Sequence, residues 1–444
     1  RLPKDNNYGD FPAVTGAWKI SSESFFPKND LVQLLKIRGS WGRVGNLGSI
    51  GMGYKAALLG SFYKADYGQA GNQKPFGSVI YNHKSVNPKL TWETSEQWDL
   101  GLDVDMFNER LSLSLDYFDK RTYNLIQYQT MNWPGSIGLD AMLVNLGEVS
   151  NRGFELSANW NHRVNKDWSY FISGNLATLT NKVTDIGVKN QDGTPGVWTG
   201  GGGFRSVLPY MYQTAEGQPL SSYYLIKTAG IFQSDEEAAA YVDKDGNRIQ
   251  PNAKAGDLKF VDHNGDGRID DNDRQYMGNA TPDLTYAFNL GFTWKELTFS
   301  TMFQGVGGAQ ALYVGKSLIL SDVDGSFNRS NEILNAWSDT NRGSNIPRLS
   351  KTDNNGNFST PSDWYLEDAD YLRLKNVTLS YDLSRLVQKS NYLKSRRSML
   401  SVYFSAENLF TITKYSGMDP ECGGWDALKY PVARTFSFGI NLTY

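Results

Sequence analysis

DLTYAFNLGFTWKELTFSTMFQ, residues 283–304, alternates apolar and small polar side chains. Leu284, Tyr286, Phe288, Leu290, Phe292 and Trp294 fall on one parity, with Thr285, Ala287, Asn289, Gly291 and Thr293 on the other. A period of two puts these sets on opposite faces of a β-strand, whereas a helix would scatter the aromatics around its circumference. Lys295-Glu296 leaves room only for a tight turn. The alternation then resumes in Leu297, Phe299, Thr301 and Phe303, with Thr298, Ser300 and Gln304 opposite, which predicts a hairpin.

The same design recurs on both sides. Trp98, Leu100, Leu102, Val104 and Met106 alternate with Asp99, Gly101, Asp103 and Asp105. Three aspartates on one face do not suit a sandwich core, but they suit a water-filled lumen. Phe107-Asn108-Glu109 turns the chain into Leu111, Leu113, Leu115 and Tyr117. Phe154, Leu156, Ala158 and Trp160 follow, and a turn near Asn165-Lys166-Asp167 leads to Tyr170, Ile172 and Leu176. Leu400, Val402, Phe404 and Ala406 make another stripe, and Phe436, Phe438, Ile440, Leu442 and Tyr444 the last. At Leu372, Leu374, Val377 and Leu379 the phase slips by one, as a β-bulge would make it. Two less regular strands are expected near 9–20 and 31–44. The links alternate between short (near 21–30, 107–109, 164–167, 295–296, 384–397) and long (near 45–94, 126–146, 182–283, 311–368, 412–431). A soluble sandwich has no reason to sort its loops by end. Transmembrane barrels do, with short periplasmic turns and long extracellular loops. The expected fold is therefore all-β: a transmembrane antiparallel β-barrel of about eleven strands.

Bulk properties agree. No run of 18 apolar residues is present, so no transmembrane helix is encoded. A net charge of -3 argues against nucleic acid as a partner. The lone Cys422 excludes an intramolecular disulfide framework. An aromatic share of 13% would supply interfacial girdles, or equally a sandwich core. The polar start, Arg1 to Asp10, has no secretory signal and reads as an internal break. Single-chain bacterial barrels have even strand numbers and no open edge in lipid, so an odd count predicts further N-terminal strands.

Several segments resemble the SusC/RagA family of TonB-dependent outer-membrane transporters. They are LKIRGSWGRVGN (35–46), NPKLTWETSEQWDLGLDVDMFNERLSLSLDYFDKRT (87–122), NLGEVSNRGFELSANW (145–160), GDLKFVDHNGDGRIDDNDRQYMGNATPDLTYAFNLGFTW (256–294) and DADYLRLKNVTLSYDL (368–383). ENLFTITKYSGMDPE and the final YPVARTFSFGINLTY also resemble the family's closing pattern. The resemblance implies a barrel of twenty-two strands around an N-terminal plug. Residues 1–444 would be its C-terminal portion, without plug, TonB box or first strands, and 182–283 one long extracellular loop. It also implies a SusD-like surface lipoprotein as lid, the TonB complex as energy source, an oligosaccharide or oligopeptide as substrate, and membrane lipid and lipopolysaccharide as surroundings. The alternative is a surface glycan-binding β protein without transport.

DHNGDGRIDDND (262–273) fits the twelve-residue calcium loop. Asp262, Asn264 and Asp266 hold positions 1, 3 and 5, Gly267 the turn at 6, the Arg268 carbonyl 7 and Asp270 9. Asp273 replaces the usual glutamate at 12, and Ile269 would anchor the loop to the core. The competing reading is an Asx-turn-rich loop without metal. Ser234 with Glu237 reads as a capping box on a short helix. The Gly-rich tract with GGGF (201–204) lacks phosphate-loop context and reads as surface loop. His83, His162 and His263 are scattered, and no spacing points to a catalytic set, so no enzyme is expected. Trp198, Phe204, Tyr210, Tyr212, Trp364, Tyr365 and Trp425 are candidate ligand contacts or loop packing.

Overall fold

The computed structural model describes residues 2–48, 87–127, 142–187, 208–323, 328–389 and 398–443, and only the backbone at 61–66, 75–80, 84–85, 128–130, 141 and 196–198. Eleven strands form one continuous antiparallel sheet in chain order. They are Ala13–Lys19 (β1), Val32–Asn46 (β2), Glu93–Met106 (β3), Leu111–Tyr123 (β4), Glu148–Arg163 (β5) and Trp168–Thr178 (β6). Leu284–Trp294 (β7), Leu297–Gly307 (β8), Tyr371–Asp382 (β9), Met399–Thr413 (β10) and Thr435–Thr443 (β11) complete the path. A further strand, Thr180–Asp185, folds back beside β5 at its Glu148–Arg152 end. Each strand pairs with the next, as a meander that closes into a barrel requires.

The register keeps the two faces separate across the whole sheet. Leu102 lies opposite Ile37 and Leu115, Ile172 opposite Trp160 and Leu290, and Phe404 opposite Leu379 and Phe438. This apolar face is open: Leu100, Phe154, Ile172, Phe438 and Ile440 are all exposed. Aromatic pairs bracket it. Trp41 meets Trp98 at 6.0 Å toward the long-loop end, and Trp168 stacks on Phe292 at 5.2 Å toward the short-turn end. An exposed apolar band between aromatic girdles is the lipid-facing surface of a transmembrane barrel.

The short turns close as expected. Phe107, Asn108 and Glu109 all have positive φ (57°, 59° and 61°), a costly run for non-glycine residues. The Asn108 N–H is met by Gln33 Oε1 at 2.9 Å, and the Phe107 N–H by the Leu31 carbonyl. At the next turn, Asn165 Oδ1 accepts from the N–H groups of Asp167 and Trp168. The phase slip in β9 is a bulge, with register shifts against both β8 and β10 around Lys375.

The buried core lies in the long connections rather than in the sheet. Tyr212–Ala215, Ser222–Ile226 and Arg274–Tyr276 make a small sheet within the β6–β7 connection. Gln310–Leu312 pairs with Leu366–Asp368 within the β8–β9 connection. Leu208, Leu225, Leu312 and Tyr365 form one cluster across these two connections, and Trp425 of the β10–β11 connection packs on it. The Gly424 carbonyl accepts from the Tyr212 and Tyr223 hydroxyls and from the Leu312 N–H. It therefore knots three connections at one atom. Gly424 has φ 84°, and a Cβ there would overlap Ala280.

Candidate functional site

Two regions carry polar chemistry: the inner face of the sheet and the loop assembly above it. On the inner face, Arg38 of β2 sits among three carboxylates. Its guanidinium lies 3.5 Å from Asp99, 3.2 Å from Asp103 and 2.5 Å from Asp116. Lys36 joins Asp103 at 3.2 Å, and Ser114 donates to Asp103. Gly101 makes this possible, since a Cβ there would overlap both the Arg38 guanidinium and the Asp116 carboxylate. Of the aspartates expected to face a lumen, Asp99 and Asp103 join this cluster and Asp105 does not, while Asp116 enters from β4; the cation that gathers the three comes from β2. Further along, the inner face also carries neutral hydrogen-bonded pairs: Asn289 Nδ2 donates to Ser173 Oγ, and Asn376 Nδ2 to Ser405 Oγ.

The loop assembly is tied to the sheet by a buried ion pair. Arg373 of β9 is 3% exposed and points to the inner side, opposite Gln304. It donates to Asp419 at 2.6 Å, Glu421 at 2.8 Å and Thr411 Oγ1 at 2.8 Å. Burial pushes the Asp419 carboxyl up, but the Arg373 hydrogen bond and charge, together with the Glu421 and Val432 N–H groups, outweigh it and hold the group below its ordinary value. Nearby, Tyr415 donates to the buried Asp426 at 2.7 Å. The β10–β11 connection is thus drawn inward over the sheet's inner face.

A second pair lies higher. The Lys316 ammonium is 2.5 Å from Glu367 and donates to the Trp364 carbonyl, with the Trp364 ring 5.1 Å away. Burial opposes the Glu367 charge, yet Lys316 and the Ser416 N–H and hydroxyl keep its carboxyl below the usual range.

The calcium-like loop is well ordered by its own backbone. Asp262 accepts from the N–H groups of Gly265, Asp266 and Gly267. Asn264 accepts from Asp266 N–H, Asp266 from Arg268 N–H, and Asp270 from Asn272 N–H. Asp273 is fully buried and accepts from His263, Asn264 and Asp270. Ile269 packs on Ile226, Leu258 and Phe260, as anticipated. Among the described residues no three His, Cys, Asp or Glu side chains are set together to hold a metal.

The aromatic candidates separate. Tyr365 is fully buried and donates to the Phe358 carbonyl, and Tyr212 packs between Tyr223 and Trp425. The candidates Tyr212, Tyr365 and Trp425 are thus loop core. Tyr210 is half exposed, and Trp364 lines a hollow. Trp198, Phe204, residues 201–204, His83 and Tyr444 lie outside the described side chains. His162 sits on the outer face between Trp160 and Tyr170. Ser234 caps its helix, but Glu237 reaches back to the Gln233 N–H, one residue beyond the reciprocal bond of a capping box.

Residues 3–409 match the family described as TonB dependent receptor-like, beta-barrel. The chain is 30% identical over 457 residues to TonB-dependent receptor P3 of Formosa agariphila, covering 99% of this chain and 42% of that protein. It is 28% identical to TonB-dependent receptor SusC of Bacteroides thetaiotaomicron, covering 100% of this chain and 41% of SusC. The chain therefore spans less than half the length of these relatives. Among solved structures, the RagAB peptide importer in its closed-closed state superposes with a TM-score of 0.74 at 25% identity, over 100% of this chain and 44% of that one.

Proposed function

The chain belongs to the TonB-dependent receptor β-barrel family, of SusC/RagA type, and from that membership we propose that it forms the wall and outer mouth of an energised importer. It is an outer-membrane protein, and its long connections face outward. The cargo we propose is an oligosaccharide or oligopeptide, with a SusD-like surface lipoprotein as lid and TonB as the drive. The RagAB relative is named a peptide importer, which supports this class of cargo. The observation that carries the reading is the sheet's division into an open apolar face and a face bearing the Arg38 carboxylate network. A soluble glycan-binding protein would have to cover that apolar face.

The test is uptake in cells that make the full-length protein, using labelled oligopeptides and oligosaccharides. Uptake of one class should stop when TonB is deleted or the inner-membrane proton gradient is collapsed. Uptake that persists at full rate under both conditions would remove the energised-import reading.

Calcium at 262–273 belongs to the same proposal. Asp262, Asn264, Asp266, the Arg268 carbonyl, Asp270 and Asp273 would hold it, and its charge would offset a loop rich in carboxylates. Calorimetric titration of chelator-treated full-length protein should show one calcium site that Asp262→Asn with Asp266→Asn weakens at least about tenfold. No binding heat for the wild type at millimolar calcium would leave the Asx-turn reading standing alone.

A further inference from the structure

A hollow of about 400 Å³ opens between the β8–β9 and β10–β11 connections. One wall is aliphatic, made by Leu320, Ile346 and Leu366. Leu320 and Ile346 are held in place by a small buried cluster with Ala336. The floor is the Lys316–Glu367 pair, whose charges already satisfy each other. The rim carries the exposed groups Lys414, Glu332 and Asp368. Asp368 also lines a second hollow of about 490 Å³, together with Asp283 and Asp370. Among the described residues, no lysine, arginine or histidine lines that second space.

The chemistry of this double hollow selects among ligands. A neutral glycan gains most from an open aromatic face. Here the Trp364 indole has the Lys316 ammonium over its ring and makes edge contacts with Phe358 and Tyr365. The aliphatic wall offers a sugar neither stacking nor hydrogen bonds. A short peptide meets every part: an apolar side chain against Leu320 and Ile346, a carboxylate toward Lys414, and an ammonium toward Asp283, Asp368 and Asp370.

We infer that the two hollows form a subsite for a short peptide with free ends, its amino end in the carboxylate-lined space and its carboxyl end at Lys414. This rests on the import reading, in which the loop assembly is the outer mouth of the pore. Lys414, Asp283 and Asp368 are exposed and Asp370 is half-buried, so each end contributes modestly and the apolar wall sets the baseline affinity.

The test uses the full-length purified protein and calorimetry with a tetrapeptide of alanine and leucine. Its N-acetylated form, its C-amidated form and a neutral glucose tetrasaccharide serve as comparisons. The free peptide should bind, and each cap should weaken it about three- to tenfold. Lys414→Glu should weaken the free peptide by the same factor and leave the amidated one unchanged. Asp368→Asn keeps the acceptor that the Asp370 N–H uses, and should matter only for peptides with a free amine. An unaltered proteolysis pattern of the loops shows that the variants fold. Equal affinity for free and capped peptides, or tighter binding of the tetrasaccharide, overturns the subsite even where TonB-dependent import is intact. Peptide binding with these charge effects but without TonB-dependent import overturns the import reading and leaves the subsite in place.

Discussion

Arg373→Met is expected to release the β10–β11 connection, residues 414–434, from the inner face of the barrel, at a cost of about 3–5 kcal/mol in local stability. Arg373 is 3% exposed and Asp419 6%, so the variant leaves a carboxylate buried without its cation. Glu421 is the contrast. Its side chain is 40% exposed, and Glu421→Gln should cost less than about 1 kcal/mol. Amide exchange within 414–434 reads the difference, since each 1.4 kcal/mol is a decade in opening. Arg373→Met should raise exchange there by up to two to four decades and leave the sheet's own amides protected. Equal exchange in the two variants would show that the buried pair does not hold the loop.

The same pair fixes a pH dependence. Asp419 has a folded-state carboxyl below its ordinary value: burial opposes its charge, but Arg373 together with the Glu421 and Val432 N–H groups outweighs it. The contribution is therefore fully present above the ordinary carboxylate range. It is lost as pH falls through the depressed folded value. In the wild type, protection of 414–434, taken relative to the intrinsic exchange rate at each pH, should stay flat through neutral pH and fall only in strong acid. Arg373→Met should lack that acid step.

Individual strands were legible in the sequence because a membrane barrel writes its two faces into every second residue. The hairpin at 283–304 shows this best, and even the β9 bulge appeared as a phase slip at Leu374 and Val377. What single strands could not show was partnership. Asp99 and Asp103 read as lumen-facing, but Arg38 lies 65 residues from Asp103, and only the β2–β3 register brings it between them. Arg373 and Asp419 stood in two separate family-like segments, 46 residues apart, with no sign that each satisfies the other. The loop assembly was less legible still. Its strands run three to five residues, too short for periodicity, and the Tyr223 hydroxyl meets a carbonyl 201 residues away. The candidate aromatics Tyr212, Tyr365 and Trp425 were visible as residues, but their role as the core of that assembly depends on such distant contacts.

Leu290→Arg is expected to destabilise the barrel in a bilayer by about 2–4 kcal/mol, and Asn289→Arg far less. The two residues are neighbours in β7, so the comparison isolates the face. Leu290 lies on the apolar side between Ile172 and Thr301, whose hydroxyl donates back to the Leu290 carbonyl and so is satisfied within the sheet. Depth follows from the girdle. Leu290 is four residues from Trp294, roughly 13 Å along the strand, and a tilt of about 40° makes that roughly 10 Å of height. An apolar band about 25 Å tall then puts Leu290 near the midplane, where a guanidinium finds neither water nor headgroup. Asn289 faces inward and donates to Ser173 Oγ at 3.2 Å. An arginine there loses that one hydrogen bond and reaches into a polar lumen that already holds Arg38 and its carboxylates. Denaturant titration of the full-length protein refolded into lipid vesicles measures both. Equal losses, or a larger loss for Asn289→Arg, would mean that the faces have been assigned the wrong way round. With them would fall the claim that the Arg38 network lines the path through the pore.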